Sequence, residues 1–176
     1  SSLAGWVEIL SQKYPEVPVT GEISLDVDRL EKITERFSRI GSKPVLSEDN
    51  IPDIISRTID YLKKRTSSRV RFVFDRGSEK IILPVNATLL EWVFENVSRN
   101  AIDAMEGDGE INYRIIESEK TVTIDISDTG KGIPRKAFKK IFSPGYSTKK
   151  RGWGMGLSLA RRIIEEFHKG KIYVRS

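Results

Sequence analysis

The chain contains no cysteine and only one histidine among its 176 residues. The lack of cysteine excludes disulfide bonds and thiolate metal sites, and it suits a protein of the reducing cytoplasm. No apolar run approaches the roughly 20 residues that a membrane-spanning helix requires. Internal repeats and low-complexity tracts are also missing. The composition that remains, 38% hydrophobic and 31% charged residues, is that of a globular domain.

Three short segments carry most of the chemical information, and the first lies on a predicted helix. Apolar residues recur at helical spacing between Leu89 and Met105. Asn96 and Asn100 are four residues apart and share one face of that helix, and Asp103 follows on the same side. Hard cations accept amide oxygens as ligands, so Asn100 is the candidate Mg²⁺ ligand, with Asn96 beside it. Taken alone, the asparagine pair would be better explained as exposed or capping residues.

The second segment follows a predicted strand. Residues 121–127 alternate apolar and polar side chains, as a half-buried strand does, and lead directly into Asp128. Gly130 and Gly132 then allow a ligand to approach the backbone closely. A fixed carboxylate accepts a hydrogen bond from the exocyclic amine of adenine, so Asp128 is the candidate base-binding residue. An ordinary Asp-x-Gly turn is the alternative for this segment on its own.

The third segment opens a second predicted helix. Gly152, Gly154 and Gly156 alternate with other residues, and an amphipathic pattern then runs from Leu157 to Phe167. Backbone N–H groups at the start of a helix bind anions, and glycine lets such a backbone close around phosphates. The spacing matches neither a P-loop nor a Rossmann turn. A flexible loop is the alternative, but no structural requirement explains glycine at every second position.

A basic stretch with interleaved aromatic side chains, residues 134–151, lies between the second and third segments. The chain carries 30 Lys and Arg against 25 Asp and Glu, a net charge of +5, and the excess gathers in this stretch. We interpret it as a mobile lid, whose aromatic residues pack on closure and whose cations meet a triphosphate. Such a stretch could also bind nucleic acid. Because phosphate-binding glycines follow at once, the lid is the better interpretation, and we expect no nucleic-acid partner.

Together, these segments resemble the nucleotide-binding boxes of the sensor histidine kinases of bacterial two-component systems. Residues 96–105, 128–133, 138–142 and 152–157 resemble the asparagine, first glycine, phenylalanine and second glycine boxes of that family. The kinases belong to a wider group of ATP-binding proteins that includes gyrase B, Hsp90 and MutL. Residues 142–149 are similar to the lid of nitrogen-regulation kinases, which ends in Thr-Lys.

The resemblance implies ATP and Mg²⁺ as ligands and a role for each matching residue. Asn100 would coordinate Mg²⁺ with support from Asn96, and Asp103 would reach the nucleotide through water or lysine partners. Asp128 would bind the adenine amine. The other residues implied in nucleotide binding are Gly130, Gly132, Phe142, Thr148, Lys149, Gly152, Gly154, Met155, Gly156 and Leu157.

One position bears on the class of reaction. Gyrase B and MutL carry a glutamate four residues before the Mg²⁺ asparagine, where it activates water, and this chain carries Asn96 there. An amide cannot take up a proton near neutral pH, and Glu95 lies about 100° further round the helix. We therefore expect phosphoryl transfer to a separate nucleophile rather than hydrolysis, since that chemistry depends on positioning and charge neutralisation.

In the family, the phosphate acceptor is a histidine on the first dimerisation helix. Residues 1–10 resemble the segment that follows it, so we expect the acceptor upstream of Ser1 and no catalytic residue within the chain. His168, the only histidine, matches the end of the last helix of the catalytic domain and is predicted to be structural. Residues 171–176 are predicted to form a strand, after which the family usually adds another. We therefore expect a fragment of a longer kinase; a natural degenerate member without its acceptor is the alternative.

The predicted organisation has two parts. Residues 1–42 would be a partial dimerisation and histidine-phosphotransfer hairpin, with helices at 3–12 and 22–40 that form a homodimer face. Residues 43–176 would be the catalytic ATP-binding domain, an α/β (α+β) two-layer sandwich of the Bergerat type in which helices cover a mixed sheet. We place a helix at 51–65 and strands at 70–74, 80–84, 111–117 and 120–128.

The resemblance thus implies the catalytic part of an ATP-dependent protein histidine kinase, whose phosphate passes on to a response-regulator receiver domain. We expect a cytoplasmic location, with any membrane contact made by other parts of the parent protein. Two alternatives remain open: an ATPase of the same superfamily, and a nucleotide-binding regulatory module without kinase activity.

Overall fold

The computed structural model describes residues 44–149 and 154–176. The chain divides into two units, Ser1–Pro44 and Val45–Ser176, and the elements given below belong to the second. The predicted helices at 3–12 and 22–40 and the predicted phosphate-binding residue Gly152 lie outside the described residues.

The second unit mixes strands and helices, with two pairs of consecutive strands. In chain order, the elements of the described residues are β1 (Ser47–Asn50), α1 (Ile51–Lys63), β2 (Val70–Asp75), β3 (Ile82–Val85), α2 (Ala87–Ala104), β4 (Gly109–Glu117), β5 (Val122–Asp128), a 3₁₀ turn (Arg135–Ala137), α3 (Gly156–Arg162) and a π-helical turn (Ile163–Phe167). The predicted helix at 51–65 and the four predicted strands between 70 and 128 are confirmed, with ends that differ by no more than two residues.

The strands form two sheets. β1 and β3 pair antiparallel, while the larger sheet has the order β2–β4–β5, with β2 parallel and β5 antiparallel to β4. This larger sheet is the predicted mixed sheet, and within it β4 and β5 form an antiparallel β-hairpin. β3, the predicted strand at 80–84, pairs with β1, a strand that the sequence did not reveal.

The core lies between the mixed sheet and α2. Ile111, Tyr113 and Ile115 alternate along β4, and all three side chains are buried, as the two-residue period of a strand requires. α2 packs on β4 and β5, and both α1 and α3 pack against α2. α2, the helix that carries the predicted metal ligand Asn100 and its neighbour Asn96, is therefore the common neighbour of the sheet and the other helices.

A buried hydrogen-bond chain fixes the rotation of α2 over the sheet. The Tyr113 hydroxyl of β4 bonds to Ser98 Oγ, and Ser98 Oγ in turn donates to the Phe94 carbonyl oxygen at 2.7 Å. Tyr113 and Ser98 are both fully buried. Burial raises the pKa of Tyr113 to about 12, against a smaller opposing effect of the Ser98 bond, so the hydroxyl stays protonated at neutral pH.

The start of α2 is held by Asn86. Its Oδ1 accepts the Leu89 N–H at 3.1 Å as an N-cap, and its Nδ2 donates to the Val45 carbonyl at 3.1 Å. The Asn86 backbone N–H donates to His168 Nε2 at 3.0 Å, and His168 Nδ1 lies 2.9 Å from the Ile163 carbonyl. Both ring nitrogens of His168 thus contact backbone groups, as expected of a structural histidine. Burial lowers the pKa of His168, opposed by its bond to Ile163.

The predicted strand at 171–176 is wrong, because these residues adopt no strand in the structure. A strand exists only through a backbone ladder with a neighbour. This segment is held by side chains instead: Arg175 lies 3.5 Å from Asp125, and Ser176 Oγ accepts the Ile133 N–H at 2.9 Å. The predicted helix from Leu157 to Phe167 is present, although its last turn is π-helical. No helix among the described residues is long and apolar enough to cross a membrane.

Candidate functional site

The polar face of α2 meets the lid. Lys149 Nζ donates to Asn100 Oδ1 at 2.9 Å, and the same ammonium forms an ion pair with Asp103. Asn96, one turn earlier, is half-buried, and its Nδ2 donates to the Trp92 carbonyl at 2.9 Å. The structure therefore brings together three predicted site residues, Asn100, Asp103 and Lys149, that lie up to 49 positions apart in the sequence.

The oxygens on this face suit a hard cation. One amide oxygen, from Asn100, and one carboxylate oxygen, from Asp103, both face a single cationic group, and Mg²⁺ prefers such ligands. No cluster of three or more His, Cys, Asp or Glu side chains that could hold a metal exists among the residues the structure describes. For the predicted Mg²⁺ at Asn100, water and nucleotide phosphates are ligands of the usual kind.

The turn after β5 is closed by Asp128 itself. Its Oδ1 accepts the Gly130 N–H at 2.9 Å, while the carboxylate remains exposed. A carboxylate can accept several hydrogen bonds, so this turn still leaves capacity for a donor on a ligand. Thr129 fixes the turn on β4, since its N–H donates to the Glu110 carbonyl at 3.2 Å and its Oγ1 accepts the Glu110 N–H at 3.1 Å.

The Asp128 turn also packs directly against the end of α2. The Lys131 N–H donates to the Ala104 carbonyl at 3.2 Å. A Cβ atom on Gly130 would lie 2.8 Å from the Ala104 carbonyl carbon, a distance that side chains do not tolerate. Gly132 has φ +70°, in the left-handed region that favours glycine. These contacts tie the predicted base-binding turn to the helix that carries Asn100.

Gly154 and Gly156, at the start of α3, have packing reasons, which for these two corrects the expectation that no structural requirement explains the glycines. Gly154 has φ +62°, and a Cβ there would lie 2.4 Å from the carbonyl carbon of Gly145 and 2.6 Å from backbone atoms of Tyr146. A Cβ on Gly156 would lie 2.8 Å from Asn96 Oδ1. The absence of a side chain at Gly154 thus allows the lid backbone at Gly145 and Tyr146 to pack closely. The absence of a side chain at Gly156 allows the start of α3 to approach Asn96 on α2.

The start of α3 contains the backbone that the sequence predicts to bind phosphate. Its N-cap residue is Met155, and among the described residues no side chain caps the helix there. The first N–H groups of a helix lack partners within the helix and carry its positive dipole end. Gly156 and Leu157 supply two of these groups and are both half-buried. The backbone around Met155 could therefore contact phosphate oxygens.

The lid is anchored at several points along its described part, residues 134–149. Ala137 is buried in the 3₁₀ turn, and the Gly145 N–H donates to the Gly154 carbonyl at 3.1 Å. The Phe142 ring is half-buried, with the guanidinium carbon of Arg161, on α3, 5.8 Å from its centroid. Thr148 is exposed. The lid therefore rests on α3 through Phe142 and on α2 through Lys149.

Glu95, the carboxylate nearest to the position of the gyrase and MutL base, is paired with Arg99. The Arg99 Nε donates to Glu95 Oε1 at 2.8 Å, one helical turn away on α2. This pairing on another side of the helix supports the expectation that Glu95 does not serve as a base at the site.

Several residues that position the site were not identified from the sequence. They are Ser98, Tyr113, Thr129 and Arg161. Ser98 did leave a signal, because it is a hydroxyl residue within the apolar stripe of α2. Thr129 and Arg161 act through contacts with residues that are distant in the sequence, and neither has a local signature.

Comparison with known proteins gives a family match over residues 85–176, described as histidine kinase-, DNA gyrase B- and HSP90-like ATPase. The chain is 33% identical to sporulation kinase E of Bacillus subtilis over 159 residues, which are 88% of this chain and 21% of that protein. It is 29% identical to the sensory histidine kinase/phosphatase NtrB of Klebsiella oxytoca over 185 residues, 97% of this chain and 52% of that one. The chain thus spans between about a fifth and about half of these relatives.

Solved structures agree with the sequence relatives. The catalytic domain of histidine kinase ThkA matches with a TM-score of 0.69 at 30% identity, over 74% of this chain and 88% of that domain. ThkA in complex with the response regulator TrrA matches with a TM-score of 0.72 at 25% identity, over 99% of this chain and 53% of ThkA. The family match contains α2, the Asp128 turn, the lid and α3. The chain belongs to the histidine kinase-, DNA gyrase B- and HSP90-like ATPase family and contains the catalytic ATP-binding domain of a two-component sensor histidine kinase.

Proposed function

We propose that the chain is the catalytic portion of an ATP-dependent protein histidine kinase, which binds Mg-ATP and transfers the γ-phosphate to a histidine of the dimerisation domain. One observation carries the proposal: a cation on the lid, Lys149, is bound by Asn100 and Asp103, and the Asp128 turn packs against the end of the same helix. A base-binding carboxylate and a cation-binding oxygen pair therefore lie on one scaffold.

In this proposal Asp128 recognises adenine and Asn100 holds Mg²⁺. The Asp128 carboxylate accepts a hydrogen bond from the exocyclic amine while Gly130 keeps it in place. Asn100 binds the metal with Asn96 in support, and Asp103 contributes through water or Lys149. Mg²⁺ supplies charge neutralisation for the phosphates. Thr148 and Lys149 from the lid, and the backbone of Gly154 and Gly156, contact the phosphates.

The reaction we propose is phosphoryl transfer. An imidazole nitrogen forms a bond to the γ-phosphorus, the bond from that phosphorus to the β–γ bridging oxygen breaks, and ADP leaves. Asn96 in place of a glutamate and the pairing of Glu95 with Arg99 both favour transfer over hydrolysis. An ATPase and a nucleotide-binding regulatory module of the same superfamily remain the competing functions.

The partners follow from the same proposal. Residues 1–42 would form part of the dimerisation and phosphotransfer hairpin, with the homodimer face at 3–12 and 22–40, and residues 43–176 would form the catalytic domain. The phosphate would pass to an aspartate of a response-regulator receiver domain in the cytoplasm. The complex of ThkA with the response regulator TrrA supports a partner of this kind.

Calorimetric titration with Mg-ATP tests the binding step. Asp128→Asn should weaken binding by about 10- to 100-fold, because a hydrogen bond to a charged group contributes roughly 1.5–3 kcal/mol and an amide can turn its N–H₂ toward adenine. Asp60→Asn, an exposed position on α1, is the matched control and should bind like the parent. A folded parent chain that does not bind Mg-ATP would overturn the proposal.

A second experiment separates the competing functions. The chain is incubated with labelled ATP and a separate protein that carries a complete histidine-containing dimerisation hairpin. Acid-labile phosphate on that protein supports the kinase, whereas steady release of inorganic phosphate supports the ATPase. Binding of ATP without either product supports a regulatory module.

A further inference from the structure

The ammonium of Lys149 lies where the proposed function places a metal. Lys149 Nζ is 2.9 Å from Asn100 Oδ1 and also contacts the Asp103 carboxylate. A lysine ammonium is a compact point charge with three donors and no acceptor, so it resembles a small cation in what it binds. Both of its partners are oxygens of the type that Mg²⁺ takes.

The lysine and the metal cannot share Asn100. Mg²⁺ requires ligand oxygens at about 2.0–2.1 Å in near-octahedral geometry. An ammonium held on the same oxygen would lie within a few ångströms of the metal, where two positive charges repel strongly. Repulsion between the two cations therefore opposes simultaneous binding of Lys149 and Mg²⁺ to Asn100, and the two compete for this oxygen.

We propose that Lys149 is a built-in stand-in for Mg²⁺, which occupies the metal position on Asn100 in the nucleotide-free protein and holds the lid against α2 until the metal–nucleotide complex displaces it. The inference rests on the proposed function. Once displaced, Lys149 is available to pair with the γ-phosphate, so one side chain would act both without nucleotide and with Mg-ATP bound.

The contact is suited to displacement because it is weak. The side chains of Lys149 and Asp103 are 41% and 55% exposed. Ion pairs at such exposure contribute little to stability. Removal of Lys149 should therefore change the affinity for a Mg-nucleotide that competes with it by about twofold to fivefold. A buried pair in the same place would resist exchange with the metal.

Loss of Lys149 should change the affinities for Mg-ADP and Mg-ATP differently. Mg-ADP offers no γ-phosphate to the displaced lysine, so Lys149→Met should remove competition and tighten Mg-ADP binding. Mg-ATP loses a phosphate contact at the same time, so its affinity should rise less or fall. The preference for ATP over ADP should therefore decrease in the variant.

Two measurements on the full chain test the inference. Amide hydrogen exchange without nucleotide should be faster in lid residues 138–149 of Lys149→Met and of Asp103→Asn than in the parent. Calorimetry should show Mg-ADP bound about twofold to fivefold more tightly by Lys149→Met. Lys120→Met, which removes an exposed lysine from the β4–β5 hairpin, is the matched control and should behave like the parent in both.

The outcomes distinguish this inference from the proposed function. Unchanged lid exchange in Lys149→Met, or Mg-ADP affinity that is equal to or weaker than that of the parent, would overturn the stand-in role while leaving nucleotide binding intact. Failure of the folded parent to bind any Mg-nucleotide would overturn the proposed function and the stand-in role together.

Discussion

The backbone N–H of Asn86 donates a hydrogen bond to His168 Nε2 at 3.0 Å, which joins the start of α2 to the residue that follows the π-helical turn. A protonated Nε2 could not accept this bond. Burial lowers the pKa of His168 below its ordinary value of 6.5, so the unfolded chain takes up the proton first as the pH falls. We expect stability to be constant from pH 8 to 7 and to decrease below about pH 6.5, by no more than about 1.4 kcal/mol per pH unit from this group.

Thermal unfolding at several pH values checks this prediction. His168→Gln removes the titrating group but keeps side-chain polarity, so its stability should decrease less between pH 6.5 and 5 than that of the parent. If stability decreases by the same amount in both proteins as the pH falls, titration of His168 does not contribute to the pH dependence of folding.

Alanine substitution at Gly154 tests the close approach of the lid, and Gly107, which lies elsewhere, is the matched control. Both have positive φ, +62° and +78°, but a Cβ would collide with the backbone of Gly145 and Tyr146 only at Gly154, since nothing lies within 4 Å at Gly107. Gly107→Ala should cost about 1 kcal/mol from backbone strain alone. Gly154→Ala should cost about 1–3 kcal/mol more from the collision. Urea unfolding measures both, and equal losses would contradict the close approach of the lid.

The hydrogen-bond chain through Ser98 predicts a non-additive pair of substitutions. Ser98→Ala leaves the buried Tyr113 hydroxyl without its partner and should cost about 1–3 kcal/mol. Tyr113→Phe should cost less, because Ser98 still donates to the Phe94 carbonyl. The double variant should lose less stability than the sum of the single ones. Urea unfolding of the four proteins tests this cycle, and simple additivity would refute the coupling.

Gly130 should matter for both stability and base recognition. Gly130→Ala places a Cβ 2.8 Å from the carbonyl carbon of Ala104 and 2.7 Å from Asp128 Oδ1. We expect a loss of about 1–3 kcal/mol in stability and weaker Mg-ATP binding, because the Asp128 carboxylate must move. At the control position, Gly170, the nearest atom is Ile164 Cγ2 at 3.1 Å, which can yield more easily. Gly170→Ala should bind Mg-ATP like the parent, and an equal loss in both variants would refute the role of the turn.

The sequence predicted those features that depend on residues close together in the chain. Asn96 and Asn100 share a face because of the helical period, and the Asp128 turn follows from the strand before it and the glycines after it. Both are local patterns with a known geometry. The roles assigned to these residues in nucleotide binding stay predictions.

Features that depend on distant partners were not predictable in the same way. The contact of Lys149 with Asn100 spans 49 positions, and no local pattern specifies it. The strand prediction at 171–176 was wrong although the composition suits a strand. Side-chain contacts hold this segment in place, and no backbone hydrogen-bond ladder pairs it with a neighbouring strand. The sequence offered phosphate binding or a flexible loop for Gly154 and Gly156, whereas their crowding by Tyr146 and Asn96 arises from tertiary packing.

Ala104, against which the Asp128 turn packs, lies four residues beyond Asn100 on α2. Four residues of helix span about 6 Å along the axis, a length that the backbone sets and that side-chain substitutions scarcely change. The length of this helical turn therefore sets the spacing between the proposed adenine-binding turn and the proposed Mg²⁺ ligand. Because Asp128 ends β5 and Thr129 ties its turn to β4, a substitution that shifts α2 against the sheet should change this spacing, whereas an exposed substitution on α2 should leave it unchanged.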